Sequence, residues 1–171
     1  MIESLQGVFP PLKADNCIES RTTSFGISDL SLTSPVSILE EGGMLTVTNT
    51  RQDPVFVLKI DKCLLQDGSS KGTRRCDCSV WSSDTFYWVE IKDVSTKKRR
   101  HARDEAYDQL SDTIMYFRDR MSLPSMKQRA VVAMAAENNY PAQRSKSQEQ
   151  VALFEDRYQV QLLEGNEIIF E

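Results

Sequence analysis

The stretch TFYWVEIKD, residues 85–93, constrains this chain more than any other part of it. Phe86, Tyr87, Trp88, Val89 and Ile91 are aromatic or β-branched, which predicts a strand covered on both faces. Side chains alternate along a strand, so Glu90 and Lys92 share one face near its end. A buried strand that carries an acid and a base two residues apart needs neighbours to balance them.

Those neighbours are legible on either side. MLTVTNT (44–50) alternates apolar residues with Thr, and VFVLKIDKCLL (55–65) is a second strand followed by the turn QDGSSKG. RRCDCSVW (74–81) is a third strand, expected to place Cys76, Cys78 and Val80 on one face, and SSD turns it into TFYWVEIKD. A helix over about 102–121 follows, with Ala106, Leu110, Ile114, Phe117 and Met121 in one apolar stripe. QRAVVAMAAE (128–137) reads as a buried strand, and the helix before it is long enough for a right-handed crossover between parallel strands. SILEEGG (37–43) is expected as a short helical turn, 138–150 as a polar loop, and RYQVQLLEGNEIIFE as one or two closing strands. Residues 1–36, interrupted by Pro and rich in Ser and Thr, read as an N-terminal arm or irregular layer, with 37–171 as a single core. The order of elements predicts an α/β domain with a mixed central sheet and a helix on one face.

The 171 residues, 40% hydrophobic and 27% charged, suit one domain, alone or with an ordered extension. Neither a membrane span nor the layout of a signal peptide appears, so a soluble, cytoplasmic protein is expected. Cys17, Cys63, Cys76 and Cys78 are too few and too unevenly spaced to predict a disulfide framework, and reduced thiols are the expectation. Cys76 and Cys78 lack a second Cys pair, and His101 is the one imidazole in the chain, so zinc is disfavoured. A net charge of −4 argues against a protein that coats nucleic acid. The run STKKRRHAR (95–103), however, gathers five of the 21 basic residues without an acid, which makes it a local electrostatic site.

An antiparallel hairpin through SSD sets Asp77 opposite the region of Val89 and Glu90. Two neighbouring carboxylates raise each other's pKa unless a cation lies between them. Oxygen donors without a nearby His favour Mg²⁺ or Mn²⁺, and the Ile91 carbonyl is a further candidate ligand. Lys92 is placed to orient water or to stabilise charge developing at phosphorus. The plainer reading of Glu-x-Lys is an ion pair on a solvated strand, but the apolar neighbours of Glu90 leave little reason for a solvated face. Trp81 and Trp88 are read as core rather than as platforms for bases.

Asp77, twelve intervening residues, then Glu90-Ile91-Lys92 resembles the catalytic signature of the PD-(D/E)XK nuclease superfamily, the restriction-endonuclease-like fold. The order of strands and helix over about 55–137 is similar too. Cys76 stands where the family has Pro, and Thr113 where some members have Tyr in a Gln-x-x-x-Tyr motif begun here by Gln109. The resemblance implies a metal-dependent phosphodiesterase in which Asp77, Glu90 and the Ile91 carbonyl hold the metal and Lys92 positions the attacking water. Glu41 (or Glu40), Asp61 and Gln109 are auxiliary candidates.

Lys97, Lys98, Arg99, Arg100 and Arg103 then become candidate contacts to the nucleic-acid backbone, with His101 a phosphate or solvent contact. The expected function is hydrolysis of DNA or RNA, by analogy as the effector subunit of a microbial antiviral defence system, with a protein partner or a second copy of the chain. The rival is a catalytically inactive subunit of the same fold that binds nucleic acid or protein.

Overall fold

The computed structural model describes residues 1–9, 17–66, 74–93, 98–122, 125–135, 140–145 and 147–171. Residues 67–72 of the expected turn QDGSSKG, Lys97 and residues 136–139 after β8 lie outside the described residues.

Helix α1 spans Ile2–Val8, and five strands follow: β1 (Ile18–Arg21), β2 (Phe25–Ser28), β3 (Ser37–Leu39), β4 (Leu45–Asn49) and β5 (Val55–Lys59). Next come β6 (Cys78–Trp81), β7 (Thr85–Lys92), helix α2 (Arg99–Arg118) and β8 (Lys127–Met134). The remainder is β9 (Gln143–Arg144), helix α3 (Gln148–Tyr158), β10 (Gln161–Glu164) and β11 (Glu167–Phe170). One sheet has seven strands in the order β1-β5-β6-β7-β8-β10-β9, and a second has four in the order β11-β4-β2-β3. Both sheets are mixed, and the chain is of the α/β class.

The middle of the larger sheet follows the sequence closely. β5, β6 and β7 form an antiparallel meander, and β7 runs parallel to β8 in a register from Thr85↔Lys127 to Lys92↔Met134. Helix α2 makes the crossover, burying Ala106, Leu110, Ile114 and Phe117. It begins and ends three residues earlier than its apolar stripe suggests, and Met121, beyond its end, still packs into the core.

Alternation along β7 divides the interior in two. Phe86 and Trp88 join the layer beneath the helices, whereas Tyr87, Val89 and Ile91 face the second sheet. Trp81 and Trp88 are both buried core residues, at about 1.5–3 kcal/mol for each large apolar side chain removed from water.

Four expectations are corrected. Residues before 37 are not simply an irregular layer: α1 packs Leu5 into the helix-side core, β1 pairs with β5, and β2 lies inside the second sheet. The expected helical turn at 37–43 contains β3, paired antiparallel with β2. The expected polar loop at 138–150 contains β9 and the start of α3, which buries Val151, Phe154 and Tyr158. Cys17 and Cys63, expected as free thiols, are joined in a disulfide with Cα atoms 5.7 Å apart, while Cys76 and Cys78 are free and buried. β1 and the turn after β5 bring the first pair together from 46 residues apart, a proximity that spacing alone cannot reveal.

Backbone crowding explains two glycines. A Cβ on Gly26 would fall 1.5 Å from the Gly42 carbonyl oxygen, where the turn after β3 folds back over β2. A Cβ on Gly165 would meet Ala142 at 2.5 Å, where the chain leaves β10 of the larger sheet for β11 of the smaller.

Candidate active site

The site is built where β6 begins. The ladder between β6 and β7 starts at Cys78↔Val89, and the chain bends at Asp77 just before it. The bend corrects a further expectation: Cys76 points to the helix-side core while Cys78 and Val80 face the second sheet. Asp77 is held on both sides. Its carbonyl accepts the N–H groups of Ile60 at 3.0 Å and Asp61 at 3.2 Å, and its Oδ2 accepts the Ile91 N–H at 2.6 Å. In an antiparallel ladder the N–H and C=O of one residue point to the same side, so the Ile91 carbonyl also faces the Asp77 side of β7.

Glu90 projects to the helix face with 1% of its surface exposed. Its Oε1 lies 2.7 Å from Lys92 Nζ, and its Oε2 is buried. Lys92 Nζ also donates to Gln109 Oε1 at 2.6 Å, and Gln109 Nε2 donates to the Arg75 carbonyl at 3.0 Å. One turn further along α2, Thr113 Oγ1 accepts the Cys76 N–H and donates to the Gln109 carbonyl, both at 2.7 Å. Helix α2 thus grips the chain entering β6 and steadies the ammonium beside Glu90.

Burial pushes the Asp77 carboxyl up to about 7. The Ile91 N–H and Lys92 oppose that rise, whereas the charges of Asp29 and Asp61 add to it. Burial also holds Glu90 well above the ordinary range, reinforced by the Asp77 charge and opposed by Lys92 and by a hydrogen bond from the Asp77 backbone N–H. Carboxylates this strained by desolvation are stabilised by any cation that reaches them.

The donor set suits a small hard cation. The Glu90 and Asp77 carboxyls are neighbours, and ladder geometry turns the Ile91 carbonyl towards the Asp77 side of β7. Among the described residues there is no group of three or more His, Cys, Asp and Glu side chains arranged to hold a metal. Two carboxylates and a carbonyl match Mg²⁺ or Mn²⁺, which retain several waters, better than an ion that demands a full protein cage.

The other sequence candidates divide. Gln109 touches Lys92, and Asp61 lies beside Asp77 through its backbone and its charge. Glu41 is exposed in the turn after β3, as is Glu40. Lys98 and Arg100 are exposed at the start of α2, with Arg99 half-buried between them. Arg103 faces α3 and β9–β10 instead, its Nε 3.1 Å from Glu164 Oε2 in a cluster with Tyr107 and Ser145. His101 is exposed and lies 3.3 Å from Glu105. It shares a cleft of about 420 Å³ with Arg74, Asp104, Glu105, Asp108 and Gln109, so the outer face of α2 next to the site is mainly acidic.

Asp29 went unread in the sequence. It reaches the site from the end of β2, and no local pattern could announce it, because the packing of the second sheet against the first brings it there. Comparison with protein-family models, with curated proteins and with solved structures finds no match.

Proposed function

We propose that the chain is a metal-dependent nuclease of the restriction-endonuclease-like type, and the observation that carries this reading is the buried Glu90 carboxyl held beside Asp77 and Lys92. Two neighbouring buried carboxyls resist ionising together, and a bound cation would offset that cost. Asp77, Glu90 and the Ile91 carbonyl would hold Mg²⁺ or Mn²⁺. Such an ion supplies charge neutralisation at a phosphoryl group and lowers the pKa of water.

The chain's own groups divide the remaining work. Lys92 orients the attacking water and offsets negative charge on the phosphoryl oxygens as it develops. Gln109 fixes the ammonium in place. Lys98, Arg99 and Arg100 stand at the start of α2, whose first turn contains no acid. Three cations at the positive end of a helix dipole repel it, and a phosphate bound there would satisfy both. The acidic outer face of α2 guides the strand away from Asp104 and Asp108 and across the start of the helix.

A second reading, an inactive subunit of the same fold that binds nucleic acid or a protein, is favoured by the doubly engaged Lys92 and by the lack of a third acidic ligand among the described residues. Under the first reading the chain acts in the cytoplasm as an effector in microbial defence, with a partner choosing the target. No helix among the described residues is long and apolar enough to cross a membrane. The test is incubation with labelled DNA and RNA panels in Mg²⁺, Mn²⁺ or EDTA, alongside Lys92→Ala. Metal-dependent cleavage by wild type and its loss in the variant support the nuclease; binding without cleavage in either metal supports the inactive subunit.

A further inference from the structure

Asp77 is braced by a turn that a disulfide ties down. The turn follows β5: the Lys62 N–H donates to the Leu65 carbonyl at 3.2 Å, the Leu64 N–H to the Lys59 carbonyl at 3.2 Å and the Leu65 N–H to the Ile60 carbonyl at 2.9 Å. From it the Ile60 and Asp61 N–H groups reach the Asp77 carbonyl, and Arg75 Nη1 donates to the Leu65 carbonyl at 2.5 Å. The Arg75 carbonyl in turn accepts from Gln109, the residue that holds Lys92. The turn therefore supports both arms of the candidate site.

It is not a relaxed turn. Lys62 has a φ of 61°, in the left-handed region, which is unfavourable for a residue with a Cβ and persists where the surrounding structure imposes it. The next residue supplies a constraint of that kind. Cys63 is bonded to Cys17, which fastens the turn to the chain entering β1, where the Cys17 carbonyl also accepts the Lys59 N–H at 2.8 Å. The two cysteines are unequally shielded: Cys17 is 2% exposed, whereas Cys63 is half-buried. In the cytoplasm proposed above most thiols are kept reduced, and the disulfides that do form are usually catalytic or redox-sensing.

We propose that Cys63 is a reversible redox-modification site through which a dithiol reductant switches the candidate active site off. The step is thiol–disulfide exchange. A reductant thiolate attacks Cys63 Sγ, the S–S bond breaks, and the electron pair leaves on Cys17 Sγ, which takes a proton. The second thiolate of the reductant then displaces Cys63 Sγ, which is protonated in turn. Two electrons pass to the protein, and the reductant closes into a disulfide. Released from Cys17, the turn lets the Lys62 backbone leave the left-handed region and draws the Ile60 and Asp61 N–H groups away from Asp77. A reducing cytoplasm thus keeps the centre unbraced, and an oxidising shift arms it. The consequence for metal and cleavage rests on the nuclease reading; the opening of the turn does not.

The test uses the whole chain equilibrated in graded mixtures of reduced and oxidised dithiothreitol, then desalted without oxygen. Alkylation and mass give the thiol state of each sample, which is divided between amide hydrogen exchange, calorimetric Mn²⁺ titration and cleavage of labelled DNA and RNA. On reduction the Ile60 and Asp61 amides should lose protection about tenfold or more, with the same midpoint as the disulfide, while the amides of β8 and β10 keep theirs. Mn²⁺ should bind about tenfold more weakly to the reduced form, as Asp77 loses its brace. Cys63→Ser should show the reduced behaviour in every mixture. Unchanged exchange at Ile60 and Asp61 on full reduction, or a response that persists in Cys63→Ser, would overturn the switch. Equal loss of protection across β8 and β10 would overturn it as well, since the crosslink would then be a staple for the whole fold. If neither redox form binds Mn²⁺ or cuts nucleic acid while the turn still opens on reduction, the nuclease reading fails and the redox response at Cys63 stands.

Discussion

Asp77 uses its side chain to continue the β6–β7 ladder: its Oδ2 takes the N–H of Ile91 at 2.6 Å, one step past the Cys78↔Val89 pair. A residue proposed as a metal ligand is thereby also a structural acceptor. Asp77→Asn, which keeps a side-chain oxygen for Ile91, should fold normally and lose divalent-metal binding. Asp77→Ala should orphan the Ile91 N–H and destabilise the protein by about 1–3 kcal/mol as well. Thermal melts beside calorimetric Mn²⁺ titrations separate the two effects.

Lys92 and Glu90 differ in what their loss removes. In Lys92→Ala both carboxylates remain and their ammonium competitor is gone, so Mn²⁺ should bind as tightly or more tightly while cleavage falls about a hundredfold or more. The metal-free variant should melt at a lower temperature, and more so at high pH, because Glu90 loses the ammonium that favours its ionised form. Glu90→Gln should weaken Mn²⁺ binding itself. Equal metal affinity in wild type and Glu90→Gln would take Glu90 out of the ligand set.

Raised carboxyl groups give the metal-free protein a characteristic pH dependence. Asp77 titrates at about 7 in the folded chain against 3.8 for an ordinary aspartate, so the folded state keeps a proton that the unfolded state has released. Its contribution to stability is greatest below pH 3.8 and is lost as pH rises through about 7. In EDTA, wild type should therefore lose stability relative to Asp77→Asn between pH 3.8 and about 7, and the difference should level off above that. Mg²⁺ should raise the melting temperature increasingly over the same range, because it binds the ionised carboxyls. A constant difference between the two proteins across that range would contradict the buried-acid account.

At the start of α2, replacing Lys98, Arg99 and Arg100 with Ala should weaken nucleic-acid binding and flatten its salt dependence by about one unit of slope per lost contact. Arg103→Ala should leave that slope unchanged, since its guanidinium is held by Glu164. Measuring affinity at several salt concentrations for each variant distinguishes a phosphate track from a solvated face.

The Cys17–Cys63 crosslink closes a loop of 46 residues, for which chain entropy allows up to about 4 kcal/mol of stabilisation. Wild type should melt at a lower temperature in reductant, and Cys63→Ser should melt there regardless of reductant. Unchanged melting on reduction would show that the surrounding core already fixes the two strands.

The strands and helix that carry Asp77, Glu90, Lys92 and Gln109 were legible in the sequence because they lie on long local patterns. TFYWVEIKD declares its own alternation, the α2 stripe its own period, and the turn at SSD leaves one pairing for Asp77 and Glu90. What stayed hidden depends on distant pairing. β1, β2 and β3 are each four residues or fewer, too short for a period to rise above noise, and they become strands only by finding β5, β4 and β2 respectively. Asp29 and the two bonded cysteines belong to that hidden part. Arg103 shows a different failure, since a run of charges does not say which face of a helix each will occupy.

The partner that β11 supplies to β4 has a consequence for synthesis. Thr46 pairs with Glu167 and Asn49 with Phe170, so one edge of β4 lacks its neighbour until some 120 further residues have been made. During that interval a growing chain shows the ribosome's surroundings an open strand edge, the geometry from which misassociation starts. Parallel closure over so long a loop is also slow.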